Sequence, residues 1–429
     1  MQSLMRRREF LRLVGATATT GALAACATES AVPAKPIGRV IVIGGGYGGA
    51  TAARYLRKWS NGAVQVFLID RDPTFVSCPL SNLVLGGSRN MDYITRSRAK
   101  LREDGIQVLQ DQVTGIDRAK KTVQLTKIQD LQYDRLVVSP GVDFMYDQIP
   151  GLNNAEAQKQ ILHAWKAGPE TLALRAQLEA MPDGGVFVMS IPRAPYRCPP
   201  GPYERACQVA SYFKKAKPRS KVLILDANED VVSKAALFKG AWNNLYKGII
   251  EYRNNAEAKD VDVAGRLIVT DFDKIKGDVL NVIPPMRAAD IARTSGLITA
   301  NNRWCGVNWQ TTQSDVDPNI YILGDATMSA PAMPKSGHMA NQHAKVAAAA
   351  IINSLTGLPP NPEPVVMNTC YSFVSDTDVI HVASVHRWDA EKKTLSTVPG
   401  SGGVSTGPTA LEGDYAHAWA QNIWNDMLG

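Results

Sequence analysis

Long apolar runs are missing from this chain. No stretch of its 429 residues reaches the ~20 apolar positions that crossing a bilayer requires, which argues against an integral membrane protein. Cysteine is scarce at six residues, too few for a small disulfide scaffold, so each must be explained singly. No Cys-x-x-Cys-His occurs, which removes covalent haem attachment. Beyond residue 26 there is no block of Lys or Arg, and nothing invites a nucleic acid partner. The 34 Gly and 25 Pro follow no period, excluding a collagen-like fibre and pointing to many turns. What is present, 45% hydrophobic and 20% charged residues, describes a globular chain of two or three domains at ~150 residues each.

The first segment reads as an address. Met5-Arg6-Arg7-Arg8-Glu9-Phe10-Leu11-Arg12 precedes a small, weakly apolar run from Leu13 to Ala25. A basic head, a short apolar core and small residues before a cut site make a secretory signal, and paired arginines before Phe-Leu resemble the twin-arginine type. The expectation is export to the periplasm of a protein already folded around a cofactor. Leu23-Ala24-Ala25-Cys26 also resembles a lipoprotein cleavage box, which would acylate Cys26; ordinary cleavage nearby is the alternative. Residues 1–26 carry four Arg and one Glu, so removing their +3 leaves about +4 of the formal +7. A signal and linker over 1–34 is expected, with folded structure from about Ile37.

Arg39 to Ile43 is a continuous apolar, β-branched run, expected of a buried parallel strand. Gly44-Gly45-Gly46-Tyr47-Gly48-Gly49 follows and fits G-x-G-x-x-G through Gly44, Gly46 and Gly49, then Ala50 to Lys58 reads as a helix. Such glycines let backbone N–H groups approach a pyrophosphate at a helix N-terminus. A second strand, Val64 to Ile69, ends on Asp70, a carboxylate suited to a ribose hydroxyl. An adenine dinucleotide follows from these residues. Ile320-Tyr-Ile-Leu-Gly-Asp325-Ala326 and Leu136-Val-Val-Ser-Pro-Gly141 resemble the later motifs of flavoproteins with two dinucleotide domains, where the Asp takes the ribityl chain. That resemblance implies FAD. It also implies that Gly337, in Pro334-Lys335-Ser336-Gly337-His338 before a helix from Met339 to Asn353, faces the flavin.

Such flavoproteins insert a second nucleotide unit between these motifs. Gly185 to Ser190 and Lys221 to Asp226 read as its parallel strands. Between them the glycine fingerprint is absent, and Pro192, Pro195, Pro199, Pro200 and Pro202 fill the turn. Proline removes N–H donors and fixes φ, so this loop is poorly suited to cradle a pyrophosphate. The fold is expected with its nicotinamide site lost. His338 and His343 stand five apart rather than four, poor spacing for a shared metal, and no metal is expected. Trp419 and Trp424 are expected to pack in the core, with an interface or a place by the flavin as the alternatives.

Three cysteines stand in recognisable contexts: Cys198-Pro-Pro-Gly-Pro-Tyr-Glu204-Arg-Ala, Cys78-Pro-Leu-Ser-Asn and Asn368-Thr-Cys370-Tyr. Read alone, each fits an inert buried thiol as well as a reactive one. Together with the FAD motifs they resemble the flavoprotein subunit of flavocytochrome c sulfide dehydrogenase over about residues 37 to 429. The resemblance implies a redox disulfide of Cys198 with Cys370 over the flavin, and a thioether from Cys78 to FAD. It implies Glu204 as a proton acceptor, sulfide as substrate and a separate c-type cytochrome subunit as partner. Hydrosulfide would open the disulfide, and the electrons would pass through FAD singly to haem. Glu204 also reads as an acid at a helix N-terminus, and Cys207 and Cys305 have no motif.

The implied fold is α/β, with two glutathione-reductase-like Rossmann domains and a smaller C-terminal α+β domain. The FAD domain is expected in two parts, 37–150 and 291–362, around an insert at 151–290. Pro359-Pro-Asn-Pro-Glu-Pro364 marks the start of an interface domain at 363–429. Three rival readings keep the same motifs: a sulfide:quinone oxidoreductase, a reductase moving haem or quinol electrons onto sulfur compounds, and an accessory flavoprotein that reactivates a sulfur-oxidising complex without turnover of its own.

Overall fold

The computed structural model describes residues 36–429. The segment read as an export signal, Cys26 included, lies outside the described residues. In the first part of the chain, β1 (Gly38–Ile43), α1 (Tyr47–Trp59), β2 (Val64–Asp70), α2 (Ser81–Gly86), β3 (Gln107–Gln110) and β4 (Arg135–Val138) carry the nucleotide motifs. The middle holds β5 (Val186–Ile191), α3 (Gly201–Ala216), β6 (Lys221–Asp226), α4 (Ala235–Leu245), β7 (Ile250–Arg253) and β8 (Val279–Val282). There follow β9 (Val307–Asn308), β10 (Gln313–Ser314), β11 (Ile320–Ile322) and α5 (Gly337–Thr356). Last come β12 (Val365–Phe373), β13 (Val379–Asp389), β14 (Thr394–Thr397), β15 (Gly403–Val404) and α6 (Ala410–Leu428).

The first and third groups build one seven-stranded sheet in the order β9-β10-β11-β4-β1-β2-β3. β1 lies between β2 and β4 in parallel register, with Ile41 opposite both Phe67 and Leu136. β11 joins on the far side of β4, so residues about 180 positions apart end on one sheet edge. Buried parallel strands have no solvated face, which is why these segments read as unbroken apolar runs. α1 and α5 cover the sheet with small side chains, Ala50 and Ala53 against Ala344, Ala347 and Ala348, which permits close helix packing. α5 runs two residues further at its start and three at its end than the sequence pattern suggests. The Ser336 hydroxyl caps it by accepting from Met339 N, and Gly357 ends it at φ 75°.

The insert is a second parallel sheet, β7-β6-β5-β8, with α3 crossing between β5 and β6. Cys207 on α3 is fully buried among the residues of this core, and Cys305 is equally buried. Both are packing residues, and burial raises the pKa of each thiol. The chain enters and leaves the insert through an antiparallel ribbon of Val142–Phe144 with Met286–Ala288. The C-terminal part is an antiparallel sheet, β12-β13-β14 with β15 on β13, and α6. Trp424 on α6 is buried and donates from Nε1 to the Tyr47 hydroxyl at 3.1 Å, which ties α6 back to the first glycine turn. The two nucleotide-fold sheets and the C-terminal sheet with its helix are the architecture the motifs imply.

Candidate active site

A cavity of ≈ 1280 Å³ runs between these parts. Ten of the eleven predicted site residues line it: Gly44, Gly46, Asp70, Cys78, Gly141, Cys198, Glu204, Asp325, Gly337 and Cys370. Gly49 does not, and its role is steric. A Cβ there would stand 1.7 Å from Gly44 O, so only glycine lets α1 cross the strand end this closely. At Gly46 and Gly141 a Cβ would meet nothing within 4 Å, and both positions leave open room for a ligand against the backbone. Asp70 closes the end of β2 as expected. Its carboxylate accepts from Gly45 N and faces Arg98 at 3.2 Å. Arg98 in turn donates to Gly45 O at 3.1 Å, so a buried guanidinium braces the glycine turn from beneath. Nothing in the sequence around Arg98 announces this role.

Asp325 sits on a short 3-10 turn after β11. Its Oδ1 is buried and has no hydrogen-bond partner, and burial raises the carboxyl pKa above its ordinary value. A buried acceptor without a donor is costly unless a ligand supplies one. An orphaned carboxylate at the cavity wall, a glycine turn and an open helix N-terminus together fit FAD: a hydroxylated chain at Asp325 and a pyrophosphate at Gly46.

The sulfur groups converge from three segments. Cys198 lies in the proline-rich loop at φ 58°, its N–H donating to Lys335 O at 2.9 Å. Gly201 opens α3 directly behind it, and a Cβ there would stand 2.9 Å from Cys198 Sγ. The thiol therefore sits against the first turn of a sixteen-residue helix, whose dipole favours thiolate, while burial pushes the pKa up. Cys370 arrives on β12, with Asn368 Nδ2 donating to its Sγ at 3.3 Å. Both cysteines are free thiols in the structure, on one cavity, and a charge on Cys370 disfavours one on Cys198. Cys78, also a free thiol, follows the second strand at the cavity wall.

Glu204 stands on the first turn of α3, so both readings of it meet at one place. It is buried, accepting from Phe373 N and Asn82 Nδ2, each at 2.9 Å. Burial raises its pKa, against the pull of these donors and of Lys234 and Arg205. Several neighbours escaped notice in the sequence. Arg205, fully enclosed, donates to Asn82, Asn281 and the carbonyls of His163 and Ala164. Lys234 reaches Cys370 O from the loop before α4. These partners join residues far apart in the chain, and no local motif signals them. His163 is buried beside Phe144, and its pKa falls to about 3.

At the end of the insert's second strand a carboxylate is surrounded by protein donors. Asp226, at the end of β6, accepts from the hydroxyls of Tyr203 at 2.7 Å and Tyr252 at 3.1 Å and from Asn228 N at 3.0 Å. Tyr196, from the proline loop, is buried with its hydroxyl 3.5 Å from that of Tyr203. Trp419 lines the cavity, whereas Trp424 is core. Among the described residues no cluster holds a metal, and His343 packs away from His338 against Trp309.

Three family models match the chain. Residues 38–172 match pyridine nucleotide-disulphide oxidoreductases, residues 171–284 the central part of the sulfide dehydrogenase [flavocytochrome c] flavoprotein chain, and residues 362–428 the flavin-binding part of flavocytochrome c sulphide dehydrogenase. The flavoprotein chain of that enzyme from Chlorobaculum thiosulfatiphilum is 50% identical over 46 residues, 11% of this chain and 94% of that sequence. Mitochondrial sulfide:quinone oxidoreductase of Mus musculus is 24% identical over 315 residues, 70% of this chain and 68% of its own. The crystal structure of sulfide:quinone oxidoreductase from Aquifex aeolicus superposes with a TM-score of 0.73 at 18% identity, covering 91% of each chain, which shows the shared fold. FAD is the cofactor that these matches and the cavity support, and the chain belongs to the flavoprotein family of flavocytochrome c sulfide dehydrogenase.

Proposed function

We propose that this chain oxidises sulfide through a redox pair of Cys198 and Cys370 and through FAD, and passes electrons singly to a c-type cytochrome subunit in the periplasm. The observation that carries the reading is the convergence of Cys198 from the insert and Cys370 from the C-terminal sheet on the cavity that holds the FAD motifs. Hydrosulfide attacks one sulfur of the oxidised pair; the S–S bond breaks, leaving a persulfide on one cysteine and a thiolate on the other. Glu204, buried beside the pair with a raised pKa, takes the substrate proton on a carboxylate oxygen. When bound, FAD supplies an acceptor for the electron pair that is emptied one electron at a time. Asp226, saturated by Tyr203, Tyr252 and Asn228, supports sulfur rather than a nicotinamide as the electron source. The arginine pair of residues 6–7 supports export, and Cys78 at the cavity wall supports a thioether to FAD.

A quinone acceptor is the second reading. A smaller groove of ≈ 430 Å³ opens beside the cavity and shares His338, Tyr371 and Trp419 with it, room for a flat acceptor near the flavin. Anaerobic titration of the purified protein with sulfide, followed at the flavin absorbance, decides between the readings. Bleaching by sulfide and recovery on adding cytochrome c is the expected result. Recovery with a short-chain quinone alone selects the second reading, and no bleaching overturns both in favour of an accessory flavoprotein.

A further inference from the structure

Lys234 is a buried cation that the scheme above leaves unused. It occupies the left-handed turn before α4, at φ 55°, and is 8% exposed. Its Nζ donates to Cys370 O at 3.0 Å, Ser372 Oγ at 2.8 Å and Ile380 O at 3.4 Å. Cys370 and Ser372 are two apart on β12, so their side chains share a face, and Ile380 lies opposite Ser372 on β13. The ammonium is therefore pinned to the strand face that bears Cys370 Sγ. All three of its donors are filled, and every acceptor is neutral.

A buried ammonium bonded only to neutral groups is held at a cost that a nearby anion relieves. Burial lowers the pKa of Lys234 to about 8, and the charges opposing that fall are, in order, those of Cys370, Glu204, Cys198 and Glu412. The influence is mutual. At Cys370 burial raises the pKa overall; against it the Lys234 charge is the largest factor favouring the ionised sulfur, with Asn368 and Ser336 adding hydrogen bonds and Glu204 opposing. At Cys198 the leading favourable charge is that of Arg197, and Lys234 comes after it. Hydrosulfide attack leaves at least one anionic sulfur on the opened pair, so a fixed cation at Cys370 lowers the cost of carrying that charge in a buried site.

We propose that Lys234 is a positioning residue that keeps an anionic sulfur, thiolate or persulfide, on Cys370 while the Cys198–Cys370 pair is reduced. The proposal rests on the disulfide reading of the proposed function. The same three hydrogen bonds clip the insert to the C-terminal sheet and so fix Cys370 relative to Cys198.

The test reads sulfur charge without needing sulfide turnover. The holoprotein is reduced anaerobically and alkylated with iodoacetamide from pH 6 to pH 10, and the Cys370 and Cys198 peptides are quantified by mass spectrometry. In Lys234→Gln, which keeps polar contacts but no charge, the Cys370 midpoint rises by about one pH unit or more, about tenfold in thiolate at a given pH below the midpoint. The Cys198 midpoint moves less, and Lys234→Arg restores the Cys370 profile. Lys234→Met gives the same shift where the Gln variant fails to fold, with retention of the flavin spectrum as the check on folding. An unchanged Cys370 midpoint in a folded neutral variant overturns the proposal. A protein that shows the shift but is never bleached by sulfide keeps the role of Lys234 as a counter-charge and loses the sulfide reading instead.

Discussion

The unpartnered carboxylate oxygen of Asp325 is a residue-scale sign of a missing donor. Its Oδ1 is buried without a hydrogen bond while the neighbouring Lys335 ammonium donates to the Asp325 carbonyl at 3.1 Å and not to the carboxylate. The side chain is thus kept for something outside the protein. This gives two effects of opposite sign for Asp325→Ala, measured in a Cys78→Ser background so that FAD stays exchangeable. Losing a hydrogen bond to a charged acceptor is worth ~1.5–3 kcal/mol, so FAD affinity drops roughly 10- to 150-fold by fluorescence titration. Removing an orphaned buried carboxyl relieves its desolvation cost, so the apoprotein melts no lower than its parent. A lower apoprotein melting temperature with FAD affinity intact would mean that Asp325 serves packing. The sequence indicated this residue because Gly-Asp follows a buried strand, a local signal. It was silent on Lys234, whose partners are 136 to 146 positions away. Side chains that meet only through tertiary contacts leave no trace in spacing.

Where β1 gives way to α1, Gly46 and Gly49 divide their work, and the division is testable at the scale of the element. Gly49 permits the helix to cross the strand end, since a Cβ would collide with Gly44 O at 1.7 Å. Gly46 leaves space for a ligand, since a Cβ would meet no protein atom within 4 Å. Gly46→Ala should therefore keep the melting temperature of the apoprotein and lower FAD content. Gly49→Ala forces backbone to move and should cost ~1–3 kcal/mol or more of stability, with a lower melting temperature even without FAD. Equal losses of stability in the two variants would contradict this division. The strands flanking the turn were legible because burial on both faces writes an unbroken apolar run. The helix ends were less so: Ser336 and Gly357 set the limits of α5 by cap geometry, which an alanine-rich run does not reveal. The missing glycine fingerprint between β5 and β6 was legible in the sequence, but the side chains that gather at Asp226 were not. That Tyr203 and Tyr252 saturate Asp226 depends on α3 and β7 meeting at one strand end.

At the scale of the whole molecule, the FAD-motif part, the insert and the C-terminal part all contribute residues to one cavity. Burial opposes ionisation at many of the titratable groups around it. His163 and His343 are buried and His338 half-buried, with pKa values pushed down to about 3, 3 and 4 in that order. Glu170, Glu204, Asp226 and Asp325 are pushed up by burial. The two sets oppose each other in acid. An imidazole whose folded pKa lies below the unfolded ~6.5 contributes stability that is present above that pH and is lost as pH falls toward the folded value. A carboxyl with a raised folded pKa does the reverse, favouring the fold below its unfolded pKa and losing that contribution as pH rises through the raised value. Their sum obscures either one, so the effect is read by difference at His343. Its Nδ1 accepts from Gly324 N at 3.3 Å beside Asp325, and burial, then the positive charges of Lys335 and His386, keep it neutral. In His343→Gln the amide supplies an acceptor and cannot titrate, and the remaining groups cancel in the comparison. The stability advantage of the parent over this variant should shrink as pH falls from 7.5 to 5, by roughly 2 kcal/mol for a fall of about 1.5 units below the unfolded pKa. Denaturant unfolding of the two proteins at both pH values measures this gap. A gap that stays constant would mean that His343 is protonated to the same extent folded and unfolded, and that the wall behind Asp325 is wetter than its burial indicates.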